Sequence, residues 1–240
     1  MTAQSSVSLS YSDLLLASTT CEVRYDFAFL IFDRTGAICL ESKEFYPELK
    51  ILQASPSVTT FESSPYSFSV EQLQSRAFCR ELRHDPKGFG EATAHFFEIV
   101  LERLEVRVLT RIGLRQVYFQ SFPGRDDAAA IVRALKLQPG AADAHFGISS
   151  PAREVILRWE SQDLGALVHV ASFPGNLALQ VVDVLQSEKG LEKNHESAVI
   201  IDVDFYTTAS TLCSQWHPSE WIAQSSHAVK KGIRGFLQQC

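Results

Sequence analysis

Apolar and polar residues alternate from Cys21 in "CEVRYDFAFLIFDRTGAICLESKEFY", pause around Asp33–Gly36, and resume. Alternation sends successive side chains to opposite faces of a strand, and Asp, Arg, Thr and Gly suit a turn, so this stretch predicts a β-hairpin. From Pro47 to Pro65 the chain is rich in Ser, Thr and Pro, which suggests short strands and loops. "SVEQLQSRAFCREL" fits a helix and a strand equally. The period changes in "FGEATAHFFEIVLERL", where Phe89, Ala92, Phe96, Ile99, Val100 and Leu104 recur at helical spacing above an acidic face. A strand is expected from Val106 to about Gln120. "DDAAAIVRALKLQPG" reads as a short helix whose acidic first turn suits the helix dipole and which Pro139–Gly140 stops.

Farther on, "REVILRWE" and "LGALVHVAS" read as strands of an antiparallel meander, and "LALQVVDVL" as another, with a helix as the alternative. "AVIIDVDFYTT" is the most strand-like run in the chain. The closing segment opens on Pro218 and Glu220 and sets Ile222, Ser225, Val229, Ile233 and Phe236 on one face. Lys230, Lys231 and Arg234 follow near its end, as in a helix. Together these elements predict an α+β protein: a largely antiparallel sheet covered by about three helices. We read one domain, residues 1–240, divisible into β-rich halves 20–105 and 106–240. "SFPG" occurs at Ser121–Gly124 and at Ser172–Gly175; the flanks do not match, so the same turn chemistry used twice is expected rather than a duplicated site.

Composition narrows the functional classes. A chain of 240 residues, 45% of them hydrophobic, can bury a substantial core. Its net charge of -6 argues against nucleic acid, which recognises basic faces. No run of about 18 apolar residues predicts a membrane span, and the N-terminus lacks the basic start of a secretory signal. Five widely spaced cysteines with no C-x-x-C predict reduced thiols in a cytoplasmic protein rather than a disulfide framework or a zinc site. Seven histidines show no metal-ligand spacing; His217 and His227 flank Cys213 loosely. Nucleotide-binding and common hydrolase motifs are absent from the sequence, so no cofactor is expected.

Two patterns carry candidate chemistry. In "LTRIGLRQVYF" a strand would set Arg111, Gly113 and Arg115 on one face, where guanidinium groups could bind phosphate or carboxylate. In "AVIIDVDFYTT" Asp202 and Asp204 would share a face, where two carboxylates could hold Mg2+. The D-x-D pattern is similar to the first motif of haloacid-dehalogenase-like phosphatases. However, Tyr206 stands where a small hydroxyl residue is needed, and only 38 residues follow Asp202. The favoured alternative is structural: Arg111 or Arg115 within ion-pair reach of Asp202 or Asp204, with no metal bound.

"RIGLR" at Arg111–Arg115, "IIDVDFY" at Ile200–Tyr206 and the closing helix together resemble a sporadically distributed family of uncharacterised bacterial proteins of about this length. The matched positions are Arg111, Gly113, Arg115, Asp202, Asp204 and His227; the Asn that follows the arginine in the family is missing from "QVYFQ". The resemblance implies no assigned activity. It suggests an accessory function linked to mobile elements or defence, by analogy alone. The expectation is a non-catalytic interaction protein acting through a protein partner or by self-association, with catalysis the less favoured reading. The alternative is a metal- or phosphate-dependent enzyme or small-anion sensor built on Arg111, Gly113, Arg115, Asp202 and Asp204.

Overall fold

A computed structural model describes residues 8–55, 57–81, 83–135, 154–174 and 196–239. In chain order the elements are β1 (Leu15–Tyr25), α1 (Ile31–Phe45), β2 (Lys50–Ala54), β3 (Val58–Ser63), β4 (Tyr66–Glu71), β5 (Gln74–Cys79) and α2 (Pro86–Arg103). They continue with β6 (Val108–Phe122), α3 (Asp127–Ala134), β7 (Glu154–Glu160), β8 (Leu164–Pro174), β9 (Ser197–Thr207), β10 (Thr211–Leu212) and α4 (Pro218–Gln239). The strands form one sheet in the order β2-β3-β4-β5-β1-β6-β9-β8-β7, with β10 on β6, and every pairing is antiparallel. The expected α+β class is the observed one.

The four described helices share one face of this sheet. Cys21, Val23, Ile112, Leu114, Phe61 and Phe68 point from the strands into a core closed by Ile38 of α1, Phe96 and Phe97 of α2 and Ile222 of α4. A second core joins Tyr118, Val199 and Ile201 to Ile131 of α3 and to Val229 and Ile233 of α4. The register of β1 slips between Leu16 and Ser18. The extra residue lets both Leu16 and Cys21 face the helices despite their odd separation, which is what a bulge does to alternation. None of the described helices is long and apolar enough to cross a membrane.

The ends of α2 follow ordinary capping. The Asp85 carboxylate accepts from the Lys87 and Gly88 backbone N–H groups, and Pro86 occupies the first turn. Gly90 lets α4 approach closely: a Cβ there would lie 3.1 Å from the Ser219 carbonyl oxygen.

Residues 31–45 correct the expected hairpin. Ile31, Ile38, Cys39 and Ser42 are the buried positions of α1, a helical spacing, and Thr35 donates to the Ile31 carbonyl at 2.6 Å. Gly36 lies inside the helix with nothing within 4 Å of a Cβ, so it serves no turn. The alternation of Cys21, Val23 and Tyr25 is that of β1, whereas Phe27, Phe29 and Phe32 beyond it are exposed rather than buried. "SVEQLQSRAFCREL" resolves into β4, the Gln72–Leu73 turn and β5.

The two "SFPG" copies flank one strand. Phe122 and Pro174 both pair with Ser197 of β9, from opposite sides. The first copy leaves the sheet after Phe122, and the second stays paired through Pro174. Gly175, Pro139–Gly140 and "LALQVVDVL" lie outside the described residues.

Phe96 is fully buried against Phe61, Phe68 and Phe97. Phe96→Ala is expected to destabilise the fold by about 3–5 kcal/mol, read by urea denaturation; a loss under about 1 kcal/mol would contradict this packing.

Candidate functional site

The face without helices contains both sequence motifs in a charged stretch, beside an apolar cluster of Ala17, Phe119 and Ile200. Alternation on β6 turns Arg111, Gly113 and Arg115 away from the helical core, and on β9 it does the same for Asp202 and Asp204. The expected ion pairs form. Arg111 donates to Asp204 at 2.7 Å, and Arg115 donates from Nε to both oxygens of Asp202 at 2.9 and 3.1 Å.

Arg111 has a further partner that the motifs do not reveal. Glu22 of β1 lies opposite Gly113 and accepts from Arg111 at 3.1 Å, from Arg24 at 2.7 Å and from Arg76 of β5 at 2.7 Å. Three guanidinium groups from three strands therefore converge on one carboxylate. The Arg111 guanidinium also lies over the Tyr206 ring, 4.7 Å from its centroid, and Tyr206 donates to Glu160 at 2.7 Å.

Two glycines make room for this arrangement. A Cβ on Gly113 would sit 2.5 Å from the Arg111 guanidinium, and one on Gly165 would sit 2.6 Å from the Tyr206 ring. The spacing R-x-G in "RIGLR" thus has a local cause: the arginine side chain folds back across the glycine to reach Glu22 and Asp204. Gly113 is covered by Arg111 and does not open backbone to a ligand.

Electrostatics follow the geometry. Burial works to raise the Glu22 pKa, but hydrogen bonds from Arg24 and Arg76 outweigh it and hold the carboxyl below its usual value. Asp204 moves the other way, raised mainly by burial against the pull of Arg111. The Arg115 guanidinium is pushed up, chiefly by its hydrogen bonds to Asp202. Arg111 is enclosed, with 18% of its side chain exposed; Arg115 is open at 59%.

Above the cluster lies a cleft of about 970 Å3, bounded by the β3–β4 hairpin with Ser64 and Pro65 and floored by β1, β5 and β6. Arg111, Gly113, Arg115 and Asp204 line it together with Glu22, Arg24, Arg76, Phe78 and Arg80; Asp202 lies outside this lining. Glu22, Arg24, Arg76 and Arg80 escaped the sequence reading. The alternation in "CEVRY" places Glu22 and Arg24 on one face, but nothing local shows that they meet residues 54 and 89 positions away.

The remaining candidates do not join this cluster. His227 is exposed on α4. His84 sits on the helical side, bonded to the Thr19 hydroxyl at 2.7 Å, and burial lowers its pKa. Cys21, Cys39, Cys79 and Cys213 are free thiols. Burial raises the Cys213 pKa, which disfavours a reactive thiolate beside His217. His145 and His195 lie outside the described residues.

Arg111→Ala leaves two partly buried carboxylates short of a partner and is expected to cost about 2–3 kcal/mol, against under about 1 kcal/mol for Arg115→Ala. Gly113→Ala is expected to cost about 1–3 kcal/mol, and much less when Arg111 is already Ala. Additive losses in that denaturation cycle would show that the guanidinium does not constrain Gly113. With its folded pKa below the unfolded value of about 4.3, Glu22 adds stability above that pH and loses it as pH falls. Glu22→Gln should therefore lower the melting temperature at neutral pH and shrink the gap to wild type in acid; a constant gap would contradict the assignment. No protein-family model matches the chain, and neither does any curated protein, so the geometry is what bears on the site's role.

Proposed function

We propose that the protein is a non-catalytic bacterial accessory protein that works by binding a protein partner on the open face of its sheet. The observation that supports this reading is the cleft of about 970 Å3 floored by ion-paired side chains. General acid–base chemistry needs a group that titrates near the working pH. Hydrogen bonding holds Glu22 below its usual range and Arg115 above its own, which favours fixed charges at those two positions at neutral pH, while Asp204, raised by burial, is held by Arg111. Such groups serve recognition better than proton transfer.

The small-anion or phosphate reading draws on the same cleft. It is weakened at its original residues, because Arg111 and Arg115 already donate to Glu22, Asp204 and Asp202. The free thiols of four described cysteines are compatible with a reducing, cytoplasmic setting. Membership of the sporadic bacterial family, with its mobile-element or defence association, belongs to this proposal and rests on the matched motifs.

Chemical crosslinking in source cells, followed by mass spectrometry, tests the reading. Wild type and Lys231→Ser, altered on exposed α4, should recover the same protein, and Phe78→Ser with Arg80→Ser should lose it. The proposal fails if the cleft variant recovers that protein equally well. It also fails if the purified protein turns over a substrate and Asp202→Asn abolishes turnover without lowering the melting temperature.

A further inference from the structure

We infer that the cleft receives an extended, acidic peptide segment of the partner, an inference that rests on the protein-binding reading above. Three of its arginines have donors left over. Arg24 and Arg76 reach Glu22 through Nε, and the nearest further carboxylate to a terminal nitrogen of Arg76 is Glu71 at 3.9 Å. Arg80 lies over the Phe78 ring, 5.0 Å from its centroid, and forms no ion pair among the described residues. A guanidinium carries five N–H donors in a planar fork suited to a carboxylate, so these side chains present to the cleft donors that no protein acceptor takes among the described residues.

The shape favours a chain over a small ion. The lining runs from Thr60 on β3 to Asp204 on β9, across β4, β5, β1 and β6. Five interstrand steps of about 4.8 Å make roughly 24 Å along the sheet, the length of about seven extended residues. Phe78, Leu52 and Pro65 offer apolar contact between the charges. The lining holds five arginines, Arg24, Arg76, Arg80, Arg111 and Arg115, against four carboxylates, Glu22, Glu62, Glu81 and Asp204, an excess that favours an acidic over a basic segment.

Fluorescence anisotropy with labelled peptides of about seven residues tests this on the full chain: one rich in Glu, one with Lys in place of each Glu, and one with Gln. The Glu peptide should bind, weaken roughly tenfold in Arg76→Ser with Arg80→Ser, and weaken further between about 50 and 300 mM salt. Lys231→Ser should leave it unchanged. Equal binding of the Gln or Lys peptide overturns the acidic chemistry, as does the absence of any binding. Competition by inorganic phosphate at concentrations that match the peptide's own affinity overturns the extended segment in favour of a small-anion site. If the crosslinked partner is lost in the cleft variant while no Glu peptide binds, protein binding stands and its chemistry is wrong. If the partner is retained, the protein-binding reading itself fails.

Discussion

The antiparallel pairing of β1 with β6 holds the structure together. Without it there would be two smaller sheets, β2-β3-β4-β5-β1 on one side and β6-β9-β8-β7 on the other. Read outward from this seam, both sides run alike: the first strand, then the last, then the hairpin that precedes it. The hairpin turns also correspond, at Ser64–Pro65 between β3 and β4 and at Gln162–Asp163 between β7 and β8. A bulge at the start of β1 and a slip at its end bracket the paired stretch, so the central register from Ser18 to Arg24 is uninterrupted.

Across that seam the two faces meet different demands. Toward the helices it presents Cys21, Val23, Ile112 and Leu114, all buried, and close packing fixes their identity. Toward the open side the same strands present Glu22, Arg24, Arg111 and Arg115, where partial exposure tolerates charge but burial still penalises an unpaired one. The solution is a shared network: Glu22 and Asp204 both hold Arg111, and Tyr206 covers it from the far side. Two bare backbone positions, Gly113 and Gly165, are the steric condition for that network.

Long periodic elements were legible in the sequence because their signal is local. Phe89 to Leu104 and Ile222 to Phe236 repeat at helical spacing, and both are helices; Val106 to Gln120 and "AVIIDVDFYTT" alternate, and both are strands. The region of α1 misled because the alternation of β1 ends just before it and only four of its own positions are buried. The pairing of Arg111 and Arg115 with Asp202 and Asp204 could be expected from facing motifs. The convergence of Arg24, Arg76 and Arg111 on Glu22 could not, since it depends on which strands lie beside β1, and that order is a property of the whole sheet. The matched His227 shows the reverse case, a motif position that the fold leaves in solvent.

The cleft floor draws on strands from both sides of the seam, with Arg76 on β5 and Arg115 on β6. A segment touching both can bind only while β5, β1 and β6 are in register. Occupancy would then act as a clamp, adding its binding free energy to the cohesion of the sheet and slowing local opening at the β1–β6 join. Docking and sheet integrity would be linked quantities in this molecule, each measurable through the other.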